Sequence, residues 1–273
     1  MADLDGKIAF VSGAGSGIGR EIALSFARAG ARVAVNDLRA APAAATQDTL
    51  TALGAALDCG PLIGDVADAD AVRTWFATLG SVTGGRLDVL VNNAGYADTD
   101  AETTARLARQ TEEIMTTGRV TTPLEATRRL DDARWTRMLA VHLNGTFFCT
   151  RAALGLMGSG GRIINIASIA GTTGIASVPH YSAAKGGIIA FTKAVARDVG
   201  PQGILVNAIA PGYVDTPILD IVGPRQVALI AAQTTLGRLG STAEIAATAL
   251  FLAGPGGTYF TGQVLSPNGG LVI

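Results

Sequence analysis

An apolar stretch from Lys7 to Val11 runs directly into Ser12-Gly13-Ala14-Gly15-Ser16-Gly17-Ile18-Gly19, and a helical pattern follows from Ile18 to Ala29. A strand, a glycine turn and a helix in that order predict the first unit of a parallel βα sheet. Glycines in such a turn let the backbone approach a pyrophosphate, and the free N–H groups at the helix start receive its charge. The spacing departs from the common dinucleotide fingerprint, because Gly13-x-Gly15 is followed by Ile18 where that pattern has glycine. It fits Gly-x-x-x-Gly-x-Gly through Gly13, Gly17 and Gly19. A tight structural turn would read similarly.

The alternation continues along the chain. A second strand is expected over Arg32 to Asn36, and later ones around Leu57 to Ile63, Val89 to Asn92, Arg162 to Ala167, Leu205 to Ile209 and Gln263 to Ser266. Helical segments lie between them, so the fold class expected is α/β: a single-domain Rossmann fold over 1–273, with a doubly wound parallel sheet and helices on both faces. A hydrophobic fraction of 48%, with 35 glycines and 16% charged residues, suits a sheet buried on both sides. One segment, about 98–130, resists the alternation. It is rich in Thr, Arg and Glu, and Leu107, Thr111, Ile114 and Met115 at helical spacing predict a short amphipathic helix over Glu102 to Thr116. It reads equally as a surface insertion or as a lid over substrate.

Net charge is −1 with no basic run, which argues against nucleic acid or anionic membrane as a partner. Cys59 and Cys149 have no metal-ligand spacing and read as reduced thiols of a cytosolic protein, so neither metal nor disulfide is expected. The first residues lack a basic and apolar leader, and no stretch of about 18 apolar residues occurs, so a soluble, cytoplasmic protein is the expectation.

Asp37 ends the second strand, eighteen residues after Gly19, where a carboxylate can accept hydrogen bonds from both adenosine ribose hydroxyls and would repel a 2′-phosphate. Ser16 and Leu38 supply no positive charge, whereas Arg39 does; NAD is therefore expected in preference to NADP. Asp65-Val66 after the third strand could hold an adenine, cap the helix that begins near Ala69, or do both. Further on, Tyr181 and Lys185 stand at i and i+4 of a helix, thirteen residues after Ser168, so an ammonium can sit beside a phenol and favour its phenolate.

Taken together, the glycine turn, Asp37, Asp65-Val66, Asn92-Asn93-Ala94-Gly95, Ser168, Tyr181-Ser182-Ala183-Ala184-Lys185 and Pro211-Gly212-Tyr213-Val214-Asp215-Thr216 resemble the short-chain dehydrogenase/reductase family over essentially the whole chain outside 98–130. The resemblance implies Tyr181 as general acid/base on a carbonyl or hydroxyl oxygen, with Ser168 bonding the same oxygen. Lys185 would lower the Tyr181 pKa and hold the nicotinamide ribose. It places the cofactor against Gly13, Ser16, Gly17, Ile18, Gly19, Asp37, Asp65, Val66, Asn93, Ala94 and Gly95, with Pro211, Gly212, Val214 and Thr216 beside the nicotinamide. His142 in Val141-His142-Leu143-Asn144 occupies the place of the family's catalytic-helix asparagine. A histidine there could keep a water relay with a titratable member near pH 6.5, or could only pack. Asn144, two residues on, turns to another face. His180 could touch substrate but more often such a neighbour is structural, as is Asn268.

Ser182-Ala183-Ala184-Lys185 also matches the Ser-x-x-Lys of penicillin-recognising enzymes, but their companion motifs are absent. The apolar Ile218, Leu219, Ile221 and Val222 suggest cover for a hydrophobic alcohol, ketone or acyl thioester. Among the family, the pattern looks most like 3-oxoacyl-[acyl-carrier-protein] reductases. An NAD-linked hydroxysteroid or 3-hydroxyacyl-CoA dehydrogenase is the runner-up, and a non-catalytic NAD-sensing module is the reading of another class. The resemblance also implies a homotetramer paired through the helices of His142 and Tyr181, where Ala183, Ala184, Gly186, Gly187 and Ala190 would permit close packing.

Overall fold

A computed structural model describes residues 4–216 and 224–273. Its strands are β1 (Ile8–Val11), β2 (Arg32–Asp37), β3 (Leu62–Ile63), β4 (Val89–Asn92), β5 (Arg162–Ile166), β6 (Leu205–Ile209) and β7 (Val264–Leu265), in the order β3-β2-β1-β4-β5-β6-β7. Every pairing is parallel. Between them run α1 (Gly17–Arg28), α2 (Ala40–Ala52), α3 (Ala69–Thr83), α4 (Ala101–Thr117), α5 (Ala126–Arg129), α6 (Asp132–Leu139), α7 (Gly145–Leu154), α8 (Ala170–Thr173), α9 (Pro179–Val199), α10 (Pro224–Gln233) and α11 (Thr242–Ala253).

Successive strand side chains point to opposite faces, and both faces are buried. Ala9, Val11, Val33, Val35, Val89, Val91, Ile164 and Ile166 join one core with the apolar sides of α1 and α11. Ile8, Phe10, Ala34, Leu90, Ile163 and Val206 join a second core with α3, α7 and α9. This is the doubly wound Rossmann arrangement. Strand order reverses between β1 and β4, so a crevice opens at their carboxyl ends, where ligands bind in such sheets.

Two strands are shorter than expected. The third strand is not Leu57 to Ile63 but Leu62–Ile63, preceded by an isolated bridge between Val33 and Ala56. Gly60, at φ 63°, and Pro61, which has no N–H to give, break the ladder between them. The last strand shrinks to Val264–Leu265. Ile218, Leu219, Ile221 and Val222 lie outside the described residues.

The helix expected in 98–130 is present as α4, capped by the Asp100 side chain and by Gly118 at φ 69°. Its apolar positions do not join either core, since Ile114 and Met115 are more than half exposed. Polar bonds hold the segment instead. Arg106 bonds Glu102 and the Pro123 carbonyl, Gln110 donates to the Thr122 carbonyl, and Glu113 accepts from the backbone and hydroxyls of Thr121 and Thr122.

Candidate active site

At the β1 end of the crevice, glycines are required by contact as well as by conformation. A Cβ on Gly13, at φ 63°, would stand 2.7 Å from the Ala94 Cα, and one on Gly19 would stand 2.3 Å from both the Gly13 carbonyl oxygen and the Asn93 amide nitrogen. The turn after β4 therefore packs directly on the glycine turn after β1. Asn93 fastens the two, its Nδ2 donating to the Ser12 and Gly13 carbonyls at 3.0 Å, while Ser12 Oγ accepts from the backbone N–H of Asn93 and Ala94. Asn93 is thus a staple of the turn. Ser16 precedes α1 without a side-chain cap bond, and Ile18 packs on the core.

Asp37 is buried beneath this turn. Its Oδ2 accepts from the Gly15 N–H at 2.9 Å and its Oδ1 from the Arg39 N–H at 3.0 Å. Gly15, which the fingerprint spacing did not single out, has no room for a side chain, because a Cβ would meet Asp37 Oδ2 at 2.7 Å. Asp65 turns out not to cap α3. The cap is Asp68, whose carboxylate accepts from Asp70 and Ala71, being the residue adjacent to the first helical turn. Asp65 bonds the Ala67 N–H and pairs with Arg137 at 2.6 Å. Val66 packs against Gly145. Cradle and carboxylate together leave a glycine-lined surface at a helix start, which fits a dinucleotide.

On the other side of the crevice, Ser168 follows β5; its Oγ accepts from the Ala170 N–H at 3.1 Å, and its hydroxyl lies near enough to the Tyr181 phenol to favour the phenolate. Lys185, one turn along α9, is buried, lies 5.6 Å from the Tyr181 ring centre and donates to the Ile166 carbonyl at 2.7 Å. Burial pushes the Tyr181 phenol up, against the lowering effect of the nearby Ser168 hydroxyl. The expected depression by Lys185 is absent, because burial also works against the ammonium and brings its pKa to about 7.

His142 is buried in a π-helical turn, Ala140–Asn144, between α6 and α7. Single π turns of this kind often mark functional sites. Its Nε2 lies 2.9 Å from the Tyr96 carbonyl and 3.2 Å from the Tyr96 N–H, and its ring meets Tyr181 edge-on at 5.3 Å. A Cβ on Gly95 would collide with this ring at 2.3 Å, so glycine there makes room for the histidine. Burial first, then the Lys185 charge, push the imidazole well below its ordinary value. It is neutral across the physiological range, not a group titrating near pH 6.5. Asn144 is exposed, as the helix geometry required.

Pro211 and Gly212 border the same space. The Pro211 carbonyl accepts from Ile169, and Gly212 packs on Asn268, which in turn bonds Gly270 and Val272 in a purely structural turn. Val214 is buried in the core rather than turned to the crevice, being bridged to Gly240. Thr216 faces Gly17 across the opening. His180 is fully buried beside Asp98.

The Lys185 shift has a measurable consequence. Between its folded value of about 7 and its unfolded value of 10.5, the unfolded chain binds the extra proton, so stability rises with pH across that window. The melting temperature of the parent is expected to rise relative to Lys185→Met from about pH 7 to about pH 9, below the range where Tyr181 titrates. Parallel melting curves for the two proteins would show that Lys185 is not held against its charge.

The family described as short chain dehydrogenase matches residues 7–226. The chain is 36% identical over 274 residues to the (2S)-[(R)-hydroxy(phenyl)methyl]succinyl-CoA dehydrogenase subunit BbsD of Thauera aromatica, covering 98% of this chain and 97% of that one. It is 34% identical to the 3-oxoacyl-[acyl-carrier-protein] reductase FabG of Escherichia coli, covering 99% of each. A short chain dehydrogenase from Burkholderia cenocepacia, solved in complex with NADP, superposes with a TM-score of 0.83 at 30% identity over 98% of both chains. With Ser168, Tyr181 and Lys185 gathered beside a dinucleotide cradle, the chain belongs to the short-chain dehydrogenase/reductase family and is an NAD(P)-dependent oxidoreductase acting on CH–OH groups.

Proposed function

We propose that the protein interconverts a 3-oxoacyl thioester and its 3-hydroxy counterpart, using NAD in preference to NADP. The observation that carries the reaction is a buried Tyr181 phenol, kept protonated by that burial, beside the Ser168 hydroxyl. A protonated phenol is the donor that reduction of a ketone requires. Nicotinamide, when bound, supplies the hydride. Tyr181 passes its proton to the oxygen of the substrate as that oxygen gains alkoxide character, and the Ser168 hydroxyl donates to the same oxygen, an interaction stronger in the transition state than in the ground state. Lys185 stands next to the phenol, placed to hold the nicotinamide ribose. His142, fixed to the Tyr96 backbone, extends this line of polar groups away from Tyr181.

For the dinucleotide, Gly13, Ser16, Gly17, Ile18 and Gly19 form the pyrophosphate surface, and Asp37 receives the adenosine ribose. Asp65 and Val66 flank the adenine, while Asn93, Ala94, Gly95, Pro211, Gly212, Val214 and Thr216 frame the nicotinamide half, some through the backbone alone. The thioester substrate is supported by two relatives, one a 3-oxoacyl-[acyl-carrier-protein] reductase and the other a subunit of a (2S)-[(R)-hydroxy(phenyl)methyl]succinyl-CoA dehydrogenase. The Asp37 carboxylate supports a second version, an NAD-linked 3-hydroxyacyl-CoA dehydrogenase, which differs in carrier and direction rather than in chemistry. A hydroxysteroid would be a further hydrophobic alternative.

We place residues 1–273 in one domain carrying 98–130 as its insertion, in a cytoplasmic homotetramer. Among the described residues no helix is long and apolar enough to cross a membrane. Support for the assembly comes from the outer face of α7 and α9, where Phe147 is 40% exposed and stacks under Arg151, and where Ala183 and Ala190 are exposed. Ala184, Gly186 and Gly187 pack inward instead, the glycines against Gly171 and Leu143.

The test is a fluorescence titration with NADH and NADPH, followed by nicotinamide absorbance with acetoacetyl and longer 3-oxoacyl thioesters beside ketosteroids. Oxidation of NADH by the thioesters is the expected result. Turnover of ketosteroids alone would overturn the substrate assignment.

A further inference from the structure

Outside the reacting groups, charge concentrates where the 98–130 arm leaves and rejoins the fold. Arg134 Nε donates to Asp98 Oδ2 at 2.7 Å while its Nη1 lies 3.6 Å from Asp100 Oδ2, and Arg129 bonds Asp100 and the Thr103 hydroxyl. Behind Asp98 sits His180, the residue before Tyr181, only 1% exposed, with Nε2 3.8 Å from Asp98 Oδ2. Among the described residues, neither ring nitrogen has a hydrogen-bond partner. A side chain needed only for packing would do better without two orphaned polar atoms. Asp98 also borders a cleft of about 460 Å³ lined by Ala97, Asp98, Thr99, Ala101 and Thr104. One carboxylate therefore touches the cleft, the arm's anchoring arginine and the start of α9.

We propose that His180 is a positioning residue: by closing the gap to Asp98 it ties the 98–130 arm to the start of α9, so that a substrate group held in the arm's cleft sets the position of Tyr181. The idea rests on Tyr181 being the proton donor. A movement of about 1 Å brings Nε2 to hydrogen-bond distance, and the backbone carries that movement to the next residue. The imidazole acts as a neutral donor. Burial and the neighbouring Arg134 oppose its protonation, whereas Asp98 and, from α6's cap, Asp131 favour it. Arg134 shares the same Asp98 oxygen, so the acceptor stays in place whether or not His180 is engaged.

The test uses the full chain with His180→Leu, His180→Gln, Asp98→Asn and the His180→Leu/Asp98→Asn double variant. Three readouts are compared: trypsin cleavage at the arm's arginines under native conditions, ultraviolet titration of the Tyr181 phenol by difference from Tyr181→Phe, and kcat and KM with an acetoacetyl thioester. His180→Leu and Asp98→Asn should each cut about tenfold faster in the arm and lower kcat about tenfold, with dinucleotide affinity unchanged, and the double variant should be no worse than either single one. His180→Gln, which retains a donor, should recover most of the loss. Multiplying losses in the double variant would overturn the coupling, as would trypsin rates and a Tyr181 titration unchanged in His180→Leu. Should no thioester turn over in the parent, the substrate assignment fails while the cleavage and titration readouts still decide the coupling. Should His180→Leu fail to fold, His180→Gln and Asp98→Asn decide it.

Discussion

Replacing Tyr181 with phenylalanine is expected to lower turnover about 10²- to 10⁴-fold while dinucleotide affinity stays within about threefold of the parent. The phenol is the acidic O–H that stands beside the Ser168 hydroxyl, and the ring itself is retained by phenylalanine, so the packing against His142 at 5.3 Å persists. The loss belongs to the proton rather than to the fold. Stopped mixing of enzyme, reduced dinucleotide and ketone under single-turnover conditions separates the two, because it isolates the chemical step from binding and release. Phenylalanine at 181 with the parent's rate would move proton donation to another group. Ser168→Ala should act in the same direction by a smaller factor, since it removes one donor from the alkoxide and leaves the proton source.

Cofactor choice should be decided at Asp37. In the parent, NADH is expected to bind about 30- to 1,000-fold more tightly than NADPH, from about 2–4 kcal/mol of repulsion between a buried carboxylate and a 2′-phosphate a few ångström away. Two backbone N–H groups, of Gly15 and Arg39, lock the carboxylate in position, so it cannot swing aside to admit the phosphate. Asp37→Asn keeps the size and removes the charge; its preference should fall to within about tenfold. Arg39, whose side chain is 67% exposed and stands 4.0 Å from Asp37 Oδ1, is then released to meet the phosphate. Calorimetric titration of both dinucleotides into both proteins reads the ratio directly. Equal or tighter NADPH binding by the parent, in line with the NADP held by the Burkholderia cenocepacia relative, would remove Asp37 as the determinant.

Short-range pattern in the sequence marks the sheet, the glycine turn and the Tyr181–Lys185 pair, and the family resemblance adds Ser168 to them. Short continuous apolar runs, buried on both faces, mark β1, β4, β5 and β6, and an i, i+4 spacing places Lys185 beside Tyr181. The helical spacing of Leu107, Thr111, Ile114 and Met115 also located α4 within a residue of each end, where Asp100 and Gly118 cap it. Tertiary structure decided what these groups experience. Burial raises Tyr181 and brings Lys185 to about 7, the reverse of what a pair on an open helix face would show, since enclosure disfavours charge on both partners. His142 loses its expected titration for the same reason. Asn93 became a staple and Gly15 a seat for Asp37 only when turns 80 and 22 residues apart in sequence were brought together. No local pattern records such contacts, because the closeness that makes them arises from strands β1, β2 and β4 lying side by side in the sheet.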